Sequence, residues 1–576
     1  MGSRRLGPLF LVAARRLLLD LCESRVLAFG LVIFGSTGPA PSQTVLLEVS
    51  ENIPGFGWHS AGVGDVDGDG TPDVLVGAHA YSTPTLSVAG RARVYSGSTG
   101  SVLLEWVGTQ ANAYLGRNPA RGGDWNGDGV PDVLFTSYVP MVQTTIHVMS
   151  GADGSQIRAL PGDVSAAIGD TNGDGVEETL VGYFAYQPPG VPGSPWGQAT
   201  LYDGATGGTL FSMTGPGSAS YLGWDVDGLG DVSGDGVPDV VVSAYCCPAF
   251  IPHISWVQVL SGTNGSPVYV FPTLQVESEF GRSVAGLGDL NGDGAGEIAI
   301  GIPRWSFGVS PNTGRVVVYS GGTGTLLYSL VGWTVNEYLG VSVSKVGDVD
   351  GDGRPDLVAG ATIEGFGPVL GRVQVYSGRT GEVIFRIQDI PPLGSLGFNV
   401  SWVGDVNGDG FSDFLASRHL GTPPSFRVYS GAPAGLTPFG SACATPSGWV
   451  PRIGAARMVL PSGIPPLRLH LSNVPPGSGG FLLLGLTNTQ WWGVPLPLDL
   501  AFLGLPGCAL LVSPDLAFPA VATGSGALAG HASLTFPVPV TPSTLGASTY
   551  FQWFTADPSD LPASTALTRA LEFVIQ

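Results

Sequence analysis

From Thr44 to Gly431 the chain is a succession of short apolar runs separated by turns of Gly, Ser, Thr, Asn, Asp and Pro. Val74-Leu75-Val76, Val102-Leu103-Leu104 and Ile298-Ala299-Ile300 are examples. Runs this short between glycine-rich turns read as β-strands. They recur in a constant order. An acidic segment is followed by an apolar run, a loop, a Val-Tyr-Ser-Gly element (from Val94, Val318, Val375 and Val428), a turn such as Ser98-Thr99-Gly100, and a further apolar strand. One period therefore holds about four strands, the content of a propeller blade, and seven periods lie within the usual range for such rings. The last unit stops at Tyr429-Ser430-Gly431 without a fourth strand, while Thr44 to Val49 is a strand with no unit of its own. Because an open ring leaves sheet edges exposed, the N-terminal strand is expected to complete the last blade. The predicted fold is all-β: a seven-bladed β-propeller over residues 44–436, followed by a small β-sandwich.

The acidic segments begin at Asp65, Asp124, Asp170, Asp231, Asp289, Asp348 and Asp405, 46 to 61 residues apart. Each places oxygen-bearing side chains at positions 1, 3, 5 and 9 and Gly at position 6, a pattern that wraps a hard cation in carboxylates plus the carbonyl of position 7. The candidate ligands are Asp65, Asp67, Asp69, Thr71 and Asp73 in the first copy, and Asp124, Asn126, Asp128, Val130 and Asp132 in the second. The third and fourth give Asp170, Asn172, Asp174, Val176, Glu178 and Asp231, Ser233, Asp235, Val237, Asp239. The fifth to seventh give Asp289, Asn291, Asp293, Ala295, Glu297; Asp348, Asp350, Asp352, Arg354, Asp356; and Asp405, Asn407, Asp409, Phe411, Asp413. A helical EF-hand needs Glu at position 12, where the first copy has Val76, so a hairpin loop is the better reading. Mg²⁺ keeps several waters and suits so many protein oxygens poorly, so Ca²⁺ is expected, at up to seven sites. Plain polar turns would not need several carboxylates at fixed offsets, since these repel one another.

Composition agrees with this pattern and sharpens it. Gly (89) and Pro (47) make up nearly a quarter of the 576 residues, which disfavours long helices. Charged residues are only 12% of the chain, yet the net charge is −21. The loops named above hold 23 of the 45 acidic residues, so the acidity is local. With a single lysine, Lys345, neither nucleic acid nor an anionic membrane surface is an expected partner.

These motifs carry a resemblance. Phe56-Gly57, Phe280-Gly281, the variants Leu115-Gly116, Leu222-Gly223 and Leu339-Gly340, and the following Gly77-Ala78, Gly301-Ile302-Pro303 and Gly360-Ala361 make the chain resemble FG-GAP repeat proteins, such as the seven-bladed propeller of integrin alpha chains. The third unit lacks a Phe-Gly element, and Thr136-Ser137 and Ser417-Arg418 stand where Gly-Ala is expected.

Residues 1–40 have the order of a secretory signal: five arginines, an apolar run from Val26 to Phe34, then small residues to Ala40. That apolar run is too short to span a bilayer, and no later stretch is long and apolar enough. The chain is therefore expected to be secreted or at the cell surface, where Cys443 and Cys508 are expected to pair and the adjacent Cys246-Cys247 either pair or stay reduced. Residues 437–576 read as a separate β-sandwich-like domain. Seven histidines show no zinc spacing, and there is no nucleophile elbow or phosphate loop, so no catalytic residue is assigned. Connections after the second strand of each unit are rich in aromatics: Tyr81, Tyr138, Phe184, Tyr186, Trp196, Tyr245, Phe250, Trp305, Phe307 and Phe366. Such rings can anchor a protein or stack on sugars, although local packing competes with that role, as it does for Trp491-Trp492. Binding of an extracellular protein or glycan in adhesion or recognition is thus the expected function. A propeller-based polysaccharide lyase or hydrolase and a surface-layer scaffold are the alternatives.

Overall fold

The computed structural model describes residues 43–140, 143–245, 255–272, 279–362, 371–389, 395–420, 423–432, 436–444, 449–457, 467–475, 477–491, 494–501, 508–523, 530–536, 547–557 and 564–574. The expected leader, Cys246, Cys247, Phe250, Phe366 and Trp492 lie outside these. Among the described residues the secondary structure is all β, and the chain divides into two compact units, residues 43–349 with 354–431, and residues 432–576 with 350–353.

The first unit contains seven four-stranded antiparallel sheets, an architecture that fits a β-propeller. The first sheet runs Phe56–Gly64, Asp73–Ala78, Arg91–Tyr95, Val102–Val107 in sequence order. Five more sheets repeat that order, opening on Arg117–Gly123, Val164–Gly169, Leu222–Gly230, Val284–Gly288 and Leu339–Val346. The seventh holds Leu396–Gly404, Asp413–Arg418 and Ser425–Tyr429, and its fourth strand is Val45–Ser50 from the other end of the unit. The opening strand of each sheet lies against that of the next, and Leu396–Gly404 lies against Phe56–Gly64.

The burial pattern explains why these sequences make these strands. Second strands such as Asp73–Ala78, Asp239–Ala244 and Glu297–Ile302 are buried along their whole length, because both faces are covered by neighbouring sheets. They are accordingly near-continuous apolar runs, each fully buried Val or Leu contributing about 1.5–3 kcal/mol. Fourth strands such as Val102–Val107 are half exposed and carry polar residues.

Side chains also tie successive opening strands together. Ser283 Oγ accepts from Val343 N at 3.2 Å, Ser342 Oγ from Val400 N at 3.2 Å, and Asn399 Oδ1 from Ser60 N at 3.0 Å. Asp225 accepts from Val284 N at 2.8 Å. The paired glycines have a steric cause: a Cβ on Gly77 would lie 1.7 Å from the carbonyl oxygen of Gly116 in the next sheet. Where the third unit lacks Phe-Gly, the preceding sheet carries Thr136 in place of glycine, and its hydroxyl donates to Asp163 O at 3.0 Å.

The second unit has a sheet of six strands, including Leu436–Phe439, Ala570–Val574, Ser548–Asp557 and Gly479–Gly485, and another of three, Arg452–Arg457, Leu467–Val474 and Gly530–Phe536. Fully buried Trp553 in the larger sheet donates from Nε1 to His470 O in the smaller at 3.0 Å. Cys443 and Cys508 are disulfide-bonded and sit in the core with Leu500, Leu510 and Leu567, against which Trp491 packs.

Candidate functional site

Every acidic segment connects the first strand of a sheet to the second. In the first copy, Asp65 Oδ1 accepts from Gly68 N at 2.7 Å and Oδ2 from Gly70 N at 2.8 Å, so one carboxylate curls the loop around itself. Gly68 and Gly70 have φ of 76° and 87°, a region favouring glycine. Asp69 Oδ1 accepts from Thr71 N at 2.8 Å and Asp67 Oδ1 from Asp69 N at 3.1 Å. Five further copies repeat this scaffold. Position 1 accepts the position-6 amide through Asp124, Asp170, Asp231, Asp289 and Asp405. Position 5 accepts the position-7 amide through Asp128, Asp174, Asp235, Asp293 and Asp409, fixing Val130, Val176, Val237, Ala295 and Phe411. Arg354, at position 7 of the sixth copy, directs its guanidinium to Asp289 at 3.6 Å.

Position 9 is the first residue of the second strand, and in all seven copies its carboxylate is fully buried: Asp73, Asp132, Glu178, Asp239, Glu297, Asp356 and Asp413. Backbone amides bind it. Asp73 takes Val66 N and Gly97 N, at 2.8 and 2.9 Å, and Asp413 takes Val406 N and Gly431 N at the same distances. Burial still dominates, pushing Asp73 and Asp132 up to about 6 and Glu297 and Asp413 up to about 7. Neighbouring loop acids push the same way, Asp67 on Asp73 and Asp409 on Asp413.

The role of the Val-Tyr-Ser-Gly glycine is not legible in the sequence. Its amide serves the buried carboxylate from 24 residues away in the first copy, and a Cβ on Gly97 would stand 2.0 Å from Pro72 O. Only glycine permits that approach.

Carboxylate oxygens of Asp65, Asp67 and Asp73 lie within 4.8 Å of one another, as do those of Asp170, Asp174 and Glu178, of Asp289, Asp293 and Glu297, and, within the sixth loop, of Asp348, Asp350 and Asp356. The second, fourth and seventh copies place Asn126, Ser233 and Asn407 at position 3 and form no such three-acid group among the described residues. In the fifth copy the Asn291 amide donates to Asp293 at 3.0 Å and to Glu297 at 2.7 Å, placing partial positive charge between the two acids. Clustered oxygen donors, one of them buried and, in the first, third and fifth loops, pushed up by that burial, fit a hard cation. These groups can hold a metal ion.

The aromatic connections lie at the opposite ends of the second strands. Several pack on one another: Phe184 on Trp224 at 4.9 Å, Tyr245 on Trp224 at 4.9 Å and Trp305 on Phe307 at 5.8 Å between centroids. Tyr245 is buried, whereas Phe307 is 63% and Tyr138 38% exposed.

Comparison with known proteins adds to this geometry. Residues 348–416 match the model of an FG-GAP-like repeat, and residues 56–102 and 280–319 that of an FG-GAP repeat. Integrin alpha-V of Gallus gallus is 31% identical over 212 residues, 34% of this chain and 20% of that protein. Integrin alpha-5 of Xenopus laevis is 32% identical over 203 residues, 32% of this chain and 18% of that protein. Integrin alpha-PS2 of Drosophila melanogaster is 33% identical over 164 residues, 26% of this chain and 11% of that protein. The matched stretch thus spans a fifth or less of each of these relatives.

Proposed function

We propose, from the premise that this chain is an FG-GAP repeat protein similar to integrin alpha chains, that residues 44–436 are one closed seven-bladed propeller carrying Ca²⁺ in up to seven loops. Residues 1–40 act as a leader, residues 437–576 form an appended sandwich, and the protein binds an extracellular protein or glycan in adhesion or recognition. The observation that carries this reading is the sevenfold buried carboxylate, each backed by an acidic hairpin loop. The similarity to integrin alpha chains and the antiparallel pairing of Val45–Ser50 with Ser425–Tyr429 support it.

In this reading the loop residues named above are the Ca²⁺ ligands. The bound cation neutralises the position-9 carboxylates and stiffens one face, leaving the face with the aromatic connections to meet the ligand. The test is a panel of glycans and purified extracellular proteins probed with the calcium-loaded chain. Saturable binding that is lost in Phe307→Ala or Tyr138→Ala variants with unchanged melting is expected. Release of unsaturated sugar products would instead establish turnover and reject a pure binding role.

A further inference from the structure

On the face opposite the acidic loops, aromatic rings form a continuous arc across three sheets that ends on a cation. Trp58 has His79 at 5.0 Å, His419 at 4.7 Å and Phe398 at 5.3 Å between ring centroids. His79 leads to Tyr114 at 6.5 Å and Tyr114 to Tyr138 at 6.1 Å. The Arg117 guanidinium stands 5.8 Å from the Tyr138 ring centroid. Phe398 and His419 are buried and anchor the arc, while Trp58, His79, Tyr114, Tyr138 and Arg117 keep part of their surface open.

Arg117 is set apart from most of its kind in this acidic chain. Arg91, Arg304, Arg386, Arg418 and Arg427 each hold a carboxylate. Among the described residues Arg117 forms no ion pair. Asp163, which feels its charge, is buried and accepts from Ala185 N at 3.5 Å. Beside Trp58, the His59 ring is held neutral by burial first and by the charge of Arg117 next. His59 Nδ1 is buried there without a hydrogen-bond partner. Partly exposed aromatic rings beside a guanidinium that forms no ion pair among the described residues suit a ligand that has both flat apolar surface and an anion.

We propose that this arc is a subsite for an acidic saccharide, with sugar rings on Trp58 and Tyr138 and a uronate carboxylate on the Arg117 guanidinium. The proposal rests on the recognition role above and names its ligand class. A saccharide fits better than an acidic peptide because peptide capture by strand addition uses an open sheet edge, whereas the arc offers side chains on strands already paired or tied to their neighbours.

The test is an array of short glucuronate-, galacturonate- and mannuronate-containing oligosaccharides, their carboxyl-reduced counterparts, and poly-L-glutamate, probed with the calcium-loaded full chain. At least one uronate oligosaccharide should bind. Its carboxyl-reduced form, and the Arg117→Gln variant against the acidic form, should each be roughly ten- to hundredfold weaker, the scale of one charge-assisted contact. Arg117→Lys should retain part of the binding, and both variants should melt like the parent. Equal binding by Arg117→Gln, or no uronate bound, overturns the proposal. Tighter binding of poly-L-glutamate through Arg117 overturns it in favour of an acidic polypeptide. Neutral oligosaccharides bound through Trp58 alone overturn the acidic class while leaving the recognition role standing.

Discussion

At the scale of single residues, the seven buried position-9 carboxylates set the chemistry of the loops, and the glycine that follows Val-Tyr-Ser makes them tolerable. Gly97→Ala forces a methyl group against Pro72 O, where a Cβ would stand 2.0 Å away. It should cost about 1–3 kcal/mol, as overpacking does, and weaken calcium uptake at the first loop. Ser98→Ala removes an exposed hydrogen bond to Asp69 and a second one with the Ser96 hydroxyl at 3.0 Å, introduces no clash, and should cost about 1 kcal/mol or less. Equal melting midpoints for the two variants would refute this steric account. The loop donors are legible in the sequence because they sit at fixed offsets within nine residues. The glycine is not, because its partner lies two strands and a connection away.

His79 and His419 give a second prediction at this scale. Burial lowers both to about 4, whereas in the unfolded chain they titrate near about 6.5. Between those values the unfolded state binds more protons, so stability falls as pH drops through that window. In saturating Ca²⁺, the double variant His79→Gln with His419→Gln should lose less stability than the parent over the same interval. An unchanged slope would show that other groups set it.

At the scale of elements, the run-and-turn pattern shows four strands per repeat because each run is bounded by turn residues. The fourth strand of the seventh sheet had to be inferred from what the last unit lacks, and the structure pairs Val45–Ser50 with Ser425–Tyr429. Contacts between sheets, such as Gly77 against Gly116, leave only glycine as a trace and could not be assigned partners from sequence. Removing residues 43–50 should expose the edge of Ser425–Tyr429 and promote aggregation. A peptide of those residues added in trans should suppress it, and an unaffected truncation would argue that this strand is dispensable. In the second unit the Cys443–Cys508 bond closes a separation of 65 residues. Replacing both with serine should lower that unit's stability by about 2–4 kcal/mol, read by denaturant unfolding. A change within error would assign the bond no stabilising role.

At the scale of the whole molecule, a net charge of −21 on a chain with only 12% charged residues marks a protein whose acidity serves local sites. A cation that binds the folded loops and not the unfolded chain stabilises by linkage, about 2.7 kcal/mol per site at a hundredfold excess over Kd. The ligand itself is not legible at this scale, because the repeats encode the scaffold and the aromatic connections differ from unit to unit. The most direct measurement is thermal melting of the full chain, first in excess chelator and then across a calcium titration with bound metal counted. The account predicts a large fall in Tm on chelation, recovery as calcium is restored, and several equivalents bound per chain. A melting curve that is the same with and without chelator would contradict it.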